Sequence, residues 1–136
     1  MKKFKGLMTS LSPHWYTPKW LYEELDKEFH FDFDPCPLGN SRYEYDGLVN
    51  KWKKVNYINP PYGKEISKWI AKAYQESQGG ATCVLLIPSR TDTKWWHDYI
   101  MKANEIRFIK GRLKFGDSKN SAPFPSCIVI FKPREV

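Results

Sequence analysis

Ala81 to Ile87 is a continuous apolar run, bounded by Gly79-Gly80 before it and Pro88 after it. It is the right length for one strand, and its lack of alternation predicts a strand covered on both faces. Such a strand needs a layer of structure on each side, and the flanking sequence offers helices. Upstream, Ile66, Trp69, Ile70 and Ala73 recur at helical spacing, and Gly79-Gly80 ends that helix. Downstream, residues 92–103 predict a second helix with Trp95, Trp96, Tyr99 and Ile100 on its buried side. Val55-Asn56-Tyr57-Ile58 predicts an earlier strand, stopped by Pro60 and Pro61.

Further elements extend this alternation at both ends. Thr17-Pro18 suits a helix start, with Thr as N-cap and Pro at the first helical position. Trp20, Leu21, Leu25 and Phe29 then form the apolar side. Phe31-Asp32-Phe33-Asp34 alternates apolar and polar before Pro35, as a short strand ended by a turn does. Residues 36–54 are polar and irregular, with Tyr43, Tyr45, Leu48 and Trp52 as anchors. Glu105 to Ile109 predicts a strand, Gly111-Arg112 a turn into Leu113-Lys114-Phe115, and Ser126 to Phe131 a last strand. Strands alternating with helices signal parallel βαβ units, and the helix-free final connection signals an antiparallel closing strand. The fold class is therefore α/β: a mostly parallel open sheet with an antiparallel hairpin at one edge. Residues 1–13 lack periodicity and read as a flexible N-terminal arm, leaving residues 14–136 as one compact domain.

Charge narrows the partners. Lys and Arg number 22 against 15 Asp and Glu, a formal net charge of +7. A basic surface attracts polyanions, and nucleic acid is the commonest. No apolar run reaches the length of a membrane span, and the first residues show no signal-peptide pattern. Cys36, Cys83 and Cys127 lack metal-ligand or redox spacing, as in a protein of the reducing cytoplasm. Cys83 and Cys127 lie in apolar runs and read as small buried hydrophobes. His14, His30 and His97 also lack metal-ligand spacing, so no metal is expected.

Ligands of open α/β sheets bind beyond the carboxyl ends of the strands. Two segments there hold polar groups and prolines: Asp34-Pro35-Cys36-Pro37 and Asn59-Pro60-Pro61-Tyr62. Consecutive prolines lock the backbone and free carbonyls for a ligand. The Asn59 amide oxygen and the Pro60 carbonyl could together accept both hydrogens of one amino group. An amino group conjugated to an aromatic ring is a poor nucleophile because its lone pair is delocalised. Two acceptors that draw its hydrogens out of the ring plane restore lone-pair character, while Tyr62 stacks on the ring. The remaining requirement is alignment with an activated methyl donor, where positioning supplies roughly 7–11 kcal/mol.

Asn59-Pro60-Pro61-Tyr62 matches the catalytic motif of amino-methyltransferases. The wider pattern comprises Trp15-Tyr16-Thr17-Pro18, Phe33-Asp34-Pro35-Cys36, Asp46-Gly47-Leu48, Asn59 to Gly63, Leu86-Ile87-Pro88 with Thr91 and Thr93, and Gly111 to Phe115. Together these resemble the phage-type DNA N6-adenine methyltransferases, the Dam family of phages and prophages, over roughly residues 14–131. The resemblance implies a reduced Rossmann-like domain that uses S-adenosylmethionine and works in the host bacterial cytoplasm. It implies that Asn59, Pro60, Pro61 and Tyr62 hold a flipped adenine. It also implies that Asp34, Pro35 and Cys36 border the methionine part of the donor, with Trp15, Thr17 and Pro18 beside the same pocket. Asp46 would meet the donor's adenine or ribose. Larger methyltransferases place a glycine-rich loop, a helix and a second strand between these two loops. Only 24 residues separate Asp34 from Asn59 here, so the donor pocket is abbreviated, or completed by DNA or a second subunit of a homo-oligomer.

Lys64, Arg90, Arg112 and Lys114 follow strand ends on the ligand side and suit phosphate contacts. Asn120, in the loop of residues 116–125, could meet base edges. Two other readings keep part of this pattern. Similar loops serve RNA adenine and protein glutamine N-methyltransferases, and a DNA-binding protein that lost its donor site would also carry the basic charge.

Overall fold

A computed structural model describes residues 16–37, 46–116 and 119–134. Its sheet has four strands: β1 Val55–Ile58, β2 Thr82–Pro88, β3 Glu105–Phe108 and β4 Ser126–Phe131. The spatial order is β1-β2-β4-β3. The helices are α1 Lys19–Phe29, α2 Ile66–Gln78 and α3 Lys94–Asp98, followed by a 3-10 turn at Ile100–Lys102. The expected arm at residues 1–13, Trp15, Tyr43 and Tyr45 lie outside the described residues.

β1 pairs with β2 in parallel, and β4 runs antiparallel to both β2 and β3. Three strands therefore share one direction and β4 opposes them. The expected hairpin closes one edge, but its last strand lies inside, between β2 and β3. Hydropathy explains the order. Every residue of β4 is buried, whereas β3 begins with exposed Glu105 and ends with exposed Phe108. The strand with two apolar faces takes the covered position.

Alternation along the strands then builds two cores. Cys83, Leu85 and Ile87 of β2 and Cys127, Val129 and Phe131 of β4 face α2, α3 and Trp52. Val84, Leu86, Ile128 and Ile130 face Leu21 and Leu25 of α1 and residues of the 113–124 segment. Burying each such aliphatic side chain contributes about 1.5–3 kcal/mol. β2 is covered on both sides, as its composition requires. Arg107 ties the β3 edge to the end of α1, its two terminal nitrogens each 2.7 Å from a Glu28 carboxylate oxygen. That paired geometry is the strong form of such a contact.

Four local expectations need correction. The first strand shrinks to a single parallel bridge between Phe33 and Asn56. The turn at Asp34, where the Cys36 amide donates to the Asp34 carboxylate at 2.9 Å, ends the pairing at once. Thr17 does not cap α1; Pro18 occupies that position, and no side chain caps the helix. Trp20 is 54% exposed rather than on the apolar side. Leu21 and Leu25 face the sheet, and one position back along a helix turns a side chain by about 100°. Finally, residues 92–103 are not one helix. Thr93 caps α3 by accepting from the Trp96 amide, Tyr99 leaves helical backbone at φ −125°, and the 3-10 turn keeps Ile100 buried.

The turn that begins at Asp46 fits tightly against the rest. Trp52 donates its indole N–H to the Gly47 carbonyl at 2.6 Å. A Cβ on Gly47 would lie 2.2 Å from the Pro35 carbonyl oxygen and 2.9 Å from the Trp69 ring. Backbone on one side and a packed indole on the other leave no room for a methyl group. Gly47→Ala is expected to destabilise the fold by about 1–3 kcal/mol, read as a lowered thermal midpoint. An unchanged midpoint would show that this contact is looser than the geometry requires.

Candidate active site

Asp34 and Asn59 come together because their segments are parallel neighbours. The Asp32 amide donates to the Val55 carbonyl at 2.8 Å, and the Tyr57 amide to the Phe33 carbonyl at 3.0 Å. Both chains therefore leave the sheet at its carboxyl end, one into Asp34-Pro35-Cys36 and the other into Asn59-Pro60-Pro61-Tyr62. Asp46 joins them through Gly47, which packs on Pro35. The Asp46 carboxylate accepts from the Leu48 amide at 2.9 Å and so shapes its own turn.

Asn59 is 5% exposed, and Pro60 is buried beside it. The Asn59 amide nitrogen donates to the Thr17 hydroxyl at 3.2 Å. That hydroxyl also bonds the Tyr57 hydroxyl at 2.5 Å. Tyr57 itself is buried, with Tyr22 edge-on at 5.1 Å between ring centroids. Burial pushes its phenol above the ordinary range, against the opposing effect of the Thr17 bond. Tyr57 thus reaches the candidate site through Thr17, a contact that the sequence pattern concealed behind a core strand residue. The available signal was its hydroxyl, because a buried tyrosine needs a hydrogen-bond partner.

Tyr62 sits between the two cores. Its hydroxyl donates to the Leu86 carbonyl at 3.4 Å, and its ring meets Phe124 edge-on at 5.4 Å and Phe115 at 6.4 Å. Burial raises its phenol well above the usual range, so it stays neutral. Phe115 and Phe124 thus hold the ring of the loop; the sequence marked the segment around them only as a turn and a loop.

The basic candidates share this end of the sheet. Lys64 follows Tyr62 and Gly63, Arg90 follows β2, and Arg112, Lys114 and Asn120 lie on the β3–β4 connection; all five are exposed. In that connection Leu113, Phe115, Ala122 and Phe124 turn inward while Arg112, Lys114, Ser121 and Pro123 turn outward. The Arg90 guanidinium lies 5.8 Å above the Phe124 ring. Among the described residues no group of three or more His, Cys, Asp or Glu could hold a metal ion, and no helix is long and apolar enough to cross a membrane.

Residues 6–135 match the family model described as DNA N-6-adenine-methyltransferase (Dam). The chain belongs to this family. Its relatives include the DNA N-6-adenine-methyltransferase of Haemophilus phage HP1 (strain HP1c1), 25% identical over 136 residues, which cover 88% of this chain and 79% of that one. No solved structure matches the chain. As a Dam-family DNA adenine methyltransferase, the protein carries the Asn59-Pro60-Pro61-Tyr62 loop well inside the matched region.

Burial pushes the Asp34 carboxyl of this Dam-family protein up to about 6, against the lowering effect of the Cys36 amide. The folded state therefore holds the Asp34 proton more tightly than the unfolded chain, whose carboxyl titrates near 3.8. The resulting stability is fully present below the unfolded value and is lost as pH rises through about 6. Asp34→Asn should remove roughly 1–3 kcal/mol of this pH-dependent loss, measured by denaturant unfolding between acid and neutral pH. Parallel curves for the two proteins would mean that Asp34 is solvated.

Proposed function

We propose that this DNA adenine methyltransferase takes its methyl group from S-adenosylmethionine and transfers it to the N6 amino group of an adenine flipped out of the duplex. It would do so on a reduced Rossmann-like domain in a bacterial host's cytoplasm. The observation that carries the reading is the shared exit of Asp34, after its single parallel bridge, and of Asn59, after β1, at one end of the sheet. An acceptor loop and a donor loop side by side are what methyl transfer needs.

The residues present fit such a donor. Burial holds the Asp34 carboxyl toward its neutral form, and a cation beside it would restore the charged form. Pro18, Asp34, Pro35 and Cys36 would hold the methionine end, with Asp46 toward the nucleoside end. When bound, the donor supplies an electrophilic methyl group on a positively charged sulfur. Asn59 and the Pro60 carbonyl would accept the two hydrogens of the adenine amino group. Tyr62, braced by Phe115 and Phe124, would stack on the base. A base inside a duplex cannot reach this loop, so it has to be extruded. Lys64, Arg90, Arg112 and Lys114 would meet phosphates around it, and Asn120 a base edge.

Incubation with unmethylated DNA and labelled donor, followed by nucleoside mass analysis, tests the activity: N6-methyladenine is expected, and its absence refutes the reading. Asn59→Ala should reduce turnover by at least about a hundredfold, the scale of losing a positioned polar contact to the reacting group. Calorimetric donor affinity should change little, whereas near-normal turnover would remove Asn59 from the chemistry. Donor affinity should also rise as pH passes through about 6, because a sulfonium favours ionised Asp34. Asp34→Asn should flatten that rise; an unchanged profile would place the donor elsewhere.

A further inference from the structure

An asparagine that must present its oxygen to an amino group has a problem of rotation. Turned over, the amide offers its own NH2, and two donors face each other. The terminal torsion of asparagine is broad and roughly two-fold, so the side chain does not choose by itself. We infer that Thr17, anchored on Tyr57, is a positioning residue that sets the rotation of the Asn59 amide. This rests on the proposed role of Asn59 as acceptor for the substrate amino group.

The geometry supplies each link. The Asn59 amide nitrogen donates to Thr17 Oγ1 at 3.2 Å, which turns the amide oxygen to the opposite corner. Thr17 Oγ1 is itself 2.5 Å from Tyr57 Oη. A hydroxyl carries one hydrogen. Either hydroxyl can donate in that bond; with Thr17 as the donor, only a lone pair faces Asn59, and a lone pair selects the NH2 end. Tyr57 cannot drift, because it is 2% exposed and wedged by Tyr22 at 5.1 Å and Phe31 at 5.3 Å. The orientation of a loop side chain is thereby referred to the central sheet. Thr17 stands free for this because Pro18, not Thr17, occupies the N-cap position of α1.

The test uses the full chain with Thr17→Val, Thr17→Ser and Tyr57→Phe. Thr17→Val should lower kcat about 10–100-fold, the scale of a misplaced reacting group, with a much smaller change in calorimetric affinity for the donor, whose proposed pocket Thr17 also borders. Thr17→Ser should restore turnover. Tyr57→Phe keeps the ring packing but removes the partner of the Thr17 hydroxyl, and kcat should fall about tenfold. A structural loss alone would not be rescued by serine. A second readout is independent of turnover. The Asn59 side-chain amide protons, assigned in nitrogen-resolved NMR by their loss in Asn59→Ala, should exchange more slowly in wild type than in Thr17→Val. Equal exchange, unchanged kcat in Thr17→Val, or a loss confined to donor affinity would each overturn the inference. Absence of any methylation by wild type would instead defeat the proposed function, and the exchange comparison would still decide the role of Thr17.

Discussion

The antiparallel pairing of β2 with β4, from Cys83 opposite Phe131 to Pro88 opposite Ser126, is the contact on which the rest of the molecule depends. Both strands are apolar on both faces, so neither can stand at an edge without exposing one of them. Their pairing forces β1 to one side and β3 to the other. It also forces helices onto both faces. The thickness, direction and open end of the site follow from that central pair.

The site uses what this frame leaves at the carboxyl ends of the parallel strands. β1 ends in a loop that two prolines hold rigid, and β2 ends beside it. The long β3–β4 connection returns over the same end and places Phe115 and Phe124 against Tyr62. Charge then gathers outside an aromatic interior, because alternate residues of that connection point in and out. A basic rim around these aromatic rings suits the DNA on which the family acts. Beside that loop, the turn at Asp46 sets Gly47 tightly against the Pro35 carbonyl.

Much of this was legible beforehand, and the exceptions share a cause. The buried character of β2, the end of α2 at Gly79 and the proline loop after β1 are local properties of hydropathy, glycine and proline. Trp20 was misplaced because an apolar residue predicts burial only when it lies on the inward arc of its helix. The short Phe33 pairing was overread because alternation says that a strand is permitted, not how many partners it finds. The helix over residues 92–103 broke because Tyr99 and Ile100 answer to the core rather than to helical periodicity. Tyr57 and Thr17 escaped attention as a pair because 40 residues separate them.

By itself, the sequence determined the α/β class, the end of the sheet where the Asn59-Pro60-Pro61-Tyr62 loop emerges and the rigidity that two prolines give that loop. Each is encoded in contiguous residues whose backbone preferences and polarity act locally. Only the tertiary structure decided that β4 lies inside the sheet, that Gly47 meets Pro35, and that Thr17 joins Asn59 to Tyr57. Those are choices among non-local partners, made when packing of both faces and satisfaction of buried hydroxyls and amides are solved together.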